Sequence, residues 1–201
     1  VKRVGAIVIT TDKGLCGAFN SSLLRVAQRY LADTDRDVLI DAVGRKGRDF
    51  LRRRATIRKE YIGVFQNLKF ARAQEITQSA IKAFLDREVD DVFLLFNEFK
   101  SVIQQRLVVD RLLPVERHAI SPREPALDYL YEPEPAGIFA TLLPKHVEVQ
   151  VWKALLESQA AEHGARMTSM DAATNNASEM IDRLTLYMNK VRQAAITKEI
   201  I

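Results

Sequence analysis

The sequence predicts an α/β protein: a mostly parallel sheet with flanking helices, followed by one very long C-terminal helix. Three observations predict it. Val4 to Thr10 (VGAIVIT) is an almost continuous apolar run rich in β-branched residues, the pattern of a strand buried on both faces. Further strand-like runs alternate with segments whose apolar residues recur at helical spacing, the rhythm of βαβ units. Beyond Pro144 there is no proline and Gly164 is the only glycine, so Lys145 to Ile201 can run as one helix of about 85 Å.

Taken in order, the first strand leads through Thr11 to Asn20, a glycine-containing turn, into a helix from Ser21 to Ala32 with Leu23, Leu24, Ala27 and Leu31 on one face. Asp37 to Gly44 reads as a second buried strand, Arg45 to Arg54 as a short basic helix and Thr56 to Gly63 as a third extended segment. Phe70 to Glu88 is an amphipathic helix, Val92 to Phe96 an apolar strand and Val102 to Val109 the last strand. From Pro114 to Pro135 five prolines and several charges mark an irregular connector. The expected organisation is therefore an α/β domain over 1–116, a Pro-rich connector over 117–135 and a long helix over 136–201. A chain that opens directly on a central strand leads us to expect a preceding segment.

The long helix exceeds what a globular domain accommodates, so it must leave the α/β body and needs a partner. Leu156, Ala160, His163, Met167, Met170, Thr174, Ala177, Ile181, Leu184, Met188, Val191 and Ala195 alternate steps of four and three. That is a coiled-coil seam, and its small and polar members predict a closely spaced coil that is frail in isolation.

Composition is that of a globular protein, 47% apolar and 28% charged with a net charge of +4. No apolar run reaches the roughly 18 residues of a membrane span. One cysteine and three scattered histidines argue against a disulfide and a structural zinc site.

Three features carry candidate chemistry. The turn Gly14-Leu15-Cys16-Gly17 stands where a dinucleotide loop would cradle phosphate, but it lacks the G-x-G-x-x-G spacing, and Lys13 precedes the glycine where a phosphate loop needs it to follow. A tight strand-to-helix turn requiring glycine torsions accounts for it more simply. Cys16 could be activated at a helix start, yet His118, His146 and His163 lie elsewhere, so an apolar filler is the simpler reading. Arg45, Lys46, Arg48, Arg52, Arg53, Arg54, Arg58 and Lys59 form the densest basic stretch; with little aromatic interleaving, a solvated helix face is the default over nucleic acid. At the far end, Arg183, Lys190, Arg192 and Lys198 make a basic helix tip, suited equally to the helix dipole and to an acidic socket.

These motifs carry a family resemblance. Thr11-Asp12-Lys13-Gly14-Leu15-Cys16-Gly17-Ala18-Phe19-Asn20 resembles the first-strand turn of the gamma subunits of F-type ATP synthases, bacterial type. Ala165-Arg166-Met167, Ala172 to Ala177 and Arg192 to Ile200 resemble that family's C-terminal helix. The resemblance covers the whole chain and implies a non-catalytic rotor shaft: a Rossmann-like foot with a C-terminal helix that forms an antiparallel coiled coil with an N-terminal helix. It implies an α/β hexamer of alpha and beta subunits around the shaft, and an epsilon subunit and a c-subunit ring at the foot. By residue, it implies a beta-subunit catch-loop contact at Arg192, Gln193 and Thr197, a c-ring and epsilon contact at Tyr129 and Glu132, and a family turn at Asp12, Lys13, Gly14 and Gly17 with no catalytic role. It implies no cofactor, metal or nucleic acid, and a peripheral location on the cytoplasmic face of the bacterial inner membrane. Compared with the family, the N-terminal helix and a short tail after Lys198-Glu199-Ile200 are missing, and no chloroplast-type cysteine loop lies between Val109 and Glu116. The alternative is a nucleotide-binding α/β enzyme dimerised through its long helix.

Overall fold

The computed structural model describes residues 3–33, 36–116, 132 and 134–200. Its sheet has the order β3-β2-β1-β4-β5. The strands are β1 (Arg3–Ile9), β2 (Asp37–Val43), β3 (Thr56–Tyr61), β4 (Asp91–Phe99) and β5 (Gln105–Leu113). The β1–β2, β2–β3 and β1–β4 pairs are parallel, and β5 returns antiparallel beside β4. The predicted fold class holds.

The side-chain alternation of β1 assigns the two layers. Ala6 and Val8 point into a core with Leu23, Leu24 and Ala27 of α1 (Phe19–Asp33) and Leu51 of α2 (Arg45–Leu51). Ile7 and Ile9 point the other way, into the larger core with Ala73, Ile76 and Ala80 of α3 (Phe70–Leu85). That second core is completed by Val147, Val151, Ala154 and Leu155 of α4 (Pro135–Ile200). Val151 and Leu155 are fully buried, each contributing about 1.5–3 kcal/mol of apolar burial. The long helix is thus a core helix of the body along its first half.

Two expectations shift. The last strand begins at Gln105, because Ser101–Gln104 closes a tight hairpin: the Lys100 and Ser101 N–H groups donate to Gln104 O and Gln104 N–H donates to Ser101 O. Val102 and Ile103, read as strand from their apolar character, stand at the turn instead, Ile103 with 86% of its surface exposed. The long helix begins at Pro135, one residue from the expected boundary at 136, and runs through Pro144, so it extends ten residues ahead of the proline-free stretch that starts at Lys145. An internal proline disfavours a helix by about 3 kcal/mol. Here Pro144 is exposed at the rim of an apolar groove with Phe84, Leu113, Leu143 and Val147, and the burial of α4 in the body begins just after it, at Val147 and Val151.

Candidate functional site

The residues after β1 form a hydrogen-bonded hub at the C-terminal ends of the parallel strands. Thr10 Oγ1 donates to Val43 O at 2.8 Å and accepts from Gly47 N–H at 2.8 Å, joining β1 to β2 and α2. The Asp12 carboxylate accepts from Arg45 N–H with one oxygen and from Gly63 N–H with the other, each at 3.0 Å, so it ties α2 and the end of β3 to the turn. Asn20 accepts from Thr11 N–H at 3.1 Å and donates to Thr11 Oγ1 at 2.8 Å and to Cys16 Sγ at 3.3 Å. Thr10, Asp12 and Asn20 each tie their side chains to backbone N–H groups of the hub.

This edge, between β1 and β4, is where wound α/β proteins open a ligand crevice. In this chain α4 occupies it. Cys16 and Phe19 pack with Ala161 and Ala165 of α4, with Phe99 beside them. Gly17 sits at φ 55°, so the turn needs glycine for its torsion, and α4 passes close beside it, with Ser169 Oγ 2.8 Å from where a Cβ would stand. Gly164 plays the same part from the helix side, its Cα facing Phe99 and Val102 at a distance where a Cβ would touch both at 3.3 Å. Glu157 fastens the crossing by accepting from Phe99 N–H at 2.8 Å.

The features read as candidate chemistry resolve accordingly. Cys16 is buried, and burial pushes its thiol above its ordinary value, with the nearby Arg166 guanidinium opposing. A protonated, enclosed thiol is a filler and no nucleophile. Lys13 is exposed and Gly14 meets only the Lys46 stem at 3.9 Å. Among the described residues no cluster of three or more His, Cys, Asp or Glu could hold a metal, and no helix is long and apolar enough to cross a membrane. Arg58 pairs with the buried Asp41, and Arg48 with Asp49 and Glu60, so the basic stretch does not act as one patch.

The remainder of α4 is bare. Every residue from 171 to 188 is exposed, and so are large apolar members of the seam: Met167 58%, Ile181 63%, Leu184 59%, Met188 63% and Val191 48%. Over residues 147–165 the face packed on the sheet (Val147, Val151, Ala154, Ser158, Ala161, Ala165) and the seam (Leu156, Ala160, His163, Met167) are two residues out of phase. At about 100° per residue they lie on opposite sides of the helix. Arg192, Gln193 and Thr197 are all exposed near the tip, where the Thr197 hydroxyl donates back to Gln193 O at 2.9 Å. Gln193 and Thr197 stand two residues from Ala195, hence on the side away from the seam. Glu132 is exposed, and Tyr129 lies outside the described residues.

Comparison with known proteins decides the family. A family model described as ATP synthase matches residues 1–201. The ATP synthase gamma chain of Geotalea daltonii is 47% identical over 197 residues, covering 96% of this chain and 69% of that protein. That of Desulfitobacterium hafniense is 48% identical, covering all of this chain and 70% of that protein. The chain belongs to the ATP synthase gamma-chain family. Its fold matches the central stalk and c-ring structure of the Tetrahymena thermophila mitochondrial ATP synthase with a TM-score of 0.68 at 28% identity, over 86% of this chain and 76% of that one. The rotor of the Euglena gracilis mitochondrial enzyme shares the fold at a TM-score of 0.71 and 18% identity, over 97% and 74%. As a member of this family the chain is a non-catalytic central-stalk subunit, and the nucleotide-binding enzyme reading falls with its plugged crevice.

Sequence reasoning missed two of the residues that seat the helix. Glu157 left no recognisable signal. Gly164 did: one glycine in a long helix costs about 1 kcal/mol against alanine, and so marks a close approach.

Proposed function

We propose that the chain works as a rotor shaft, coupling rotation of a c-subunit ring to conformational change at the catalytic sites of beta subunits. The observation that carries this reading is the long helix itself, seated in the α/β body on one face and bare along an apolar seam on the opposite one. The seam pairs with an N-terminal helix of the same polypeptide as an antiparallel coiled coil, within a hexamer of alpha and beta subunits. Arg192, Gln193 and Thr197 meet a beta-subunit loop at the tip. Gln193 and Thr197, turned away from the seam, remain available for that contact while the coil is formed. The foot, over 1–116 with the connector 117–135, docks through Tyr129 and Glu132 on the c ring and an epsilon subunit, and 136–201 forms the shaft. This places the chain as a peripheral protein at the cytoplasmic face of a bacterial membrane. Work is transmitted by packing, because a rigid asymmetric rod biases its neighbours between discrete states according to the face it presents.

The test is co-purification of the chain, carrying its N-terminal helix, with alpha and beta subunits, followed by an ATPase assay. A stable particle whose activity depends on the chain supports the shaft. A monomer that ignores both partners overturns it.

A further inference from the structure

The basic stretch following Gly44 is left unused by the shaft, and the fold sorts its charges. Arg48 and Arg58 are committed to carboxylates. Lys46 of α2 and Arg53 of the turn that follows it are exposed and, with the exposed Arg25 of α1, line a groove of about 860 Å³ between the two helices. No hydrogen bond or ion pair engages these three cations among the described residues. The acid in the groove wall, Asp49, is already neutralised by Arg48, whose Nε and Nη2 donate to it at 2.9 and 2.8 Å. The floor is apolar, made by Leu24 and the half-buried ring of Phe50. Arg54 lies over that ring at 4.0 Å and donates to Phe50 O at 2.8 Å, so a fourth cation is held in place at the groove.

We infer that the groove between α1 and α2 is a docking surface for an acidic amphipathic helix of another polypeptide. One wall is a helical ridge of Ser21, Leu24, Arg25 and Gln28, the other is Lys46 and Phe50 of α2 continued by Arg53 of the following turn, and a valley between two such ridges receives a third helix. The floor selects an apolar stripe, and the unpaired cations on both walls select carboxylates beside it. Nucleic acid fits less well, because Phe50 is the one aromatic ring among the residues lining the groove, too few to stack successive bases. With α2 only 7 residues long the contact spans about two helical turns, the size of a transient, salt-sensitive interaction.

The test titrates the 201-residue chain into a fluorescent synthetic helix bearing a leucine stripe flanked by glutamates, read by anisotropy at about 50 and about 200 mM salt. Saturable binding is expected that weakens with salt and falls about tenfold in Arg25→Glu/Arg53→Glu, while Lys190→Glu on α4 changes it less than about twofold. If the reversal pair fails to fold by circular dichroism, Arg25→Gln/Arg53→Gln carries the same expectation at about threefold. Absence of saturation, or equal loss in Lys190→Glu, overturns the proposal. So does an oligothymidine of equal charge that binds as tightly and depends on the same two arginines, since that assigns the groove to phosphate.

Discussion

At the scale of single residues, the most demanding position is Gly44. It has φ 88° and ψ 146°, and a Cβ there would lie 2.2 Å from Thr10 O, a backbone atom that cannot turn aside. Gly44→Ala is expected to destabilise the fold by about 3 kcal/mol or more, read as a lowered urea midpoint at unchanged slope. Cys16 gives a pH signature. Burial raises its thiol above the ordinary 9.0, so in alkali the unfolded chain loses this proton first and the folded state loses stability as pH climbs. The contribution is complete below the ordinary value and disappears as pH passes through the folded one. Cys16→Ala should therefore show a shallower fall in urea midpoint between about pH 8 and pH 10 than the parent chain. An identical fall in both chains would remove the thiol from the account. At the tip, Gln193→Leu with Thr197→Val removes three polar side-chain functions from an exposed face. ATP synthesis in membranes carrying the double variant should drop at least about fivefold, with a melting temperature within about 2 °C of the parent. An unchanged synthesis rate would unseat the proposed tip contact.

At the scale of elements, the β2–β3 pair encloses an ion pair that local pattern does not announce. Asp41 is 5% exposed at its side chain and faces the Arg58 guanidinium, which also donates to Ser79 O at 3.3 Å. Burial pushes the Asp41 carboxyl above its ordinary range, while Arg58 pulls it back. Arg58→Ala leaves a buried carboxylate without a counter-charge, a loss of about 3–5 kcal/mol at neutral pH. Without Arg58 the folded carboxyl titrates higher still, so its favourable neutral form is fully present at acid pH and is lost as pH rises through the folded value. The stability gap between parent and variant should narrow as pH falls from neutral toward the ordinary carboxylate range, and a constant gap would argue against an uncompensated charge. On β3 the two cations Arg58 and Lys59 are neighbours in sequence, but only Arg58 reaches Asp41.

For the whole molecule, stability is graded along α4. Residues 147–165 share the core of the sheet, while 171–188 have no part of the body against them. A helix held only by its own hydrogen bonds and apolar on one exposed seam opens easily. Amide exchange over residues 172–198 is expected at least about 100-fold faster than in β1 for the chain alone, and slowed on assembly with an N-terminal helix. Equal protection of the two regions in the isolated chain would show that the seam needs no partner.

The strands, the helices and the orphan seam were legible because each rests on period: apolar continuity for β1, helical spacing for α1 and α3, and steps of four and three from Leu156 to Ala195. The turn from Thr11 to Asn20 and the lettering of the C-terminal helix were legible as family motifs. The hairpin at Ser101–Gln104 was not, because its apolar Val102 and Ile103 read as strand, and the seating of Glu157 and Gly164 against Phe99 was not, because it depends on contacts between residues far apart in the chain. Sequence determined that this protein carries two apolar surfaces, a sheet and a rod, since apolar period is a local property. Only the tertiary structure decided that the rod fills the crevice where a ligand would otherwise bind, because which of two opposite helix faces is buried depends on what the sheet offers to cover.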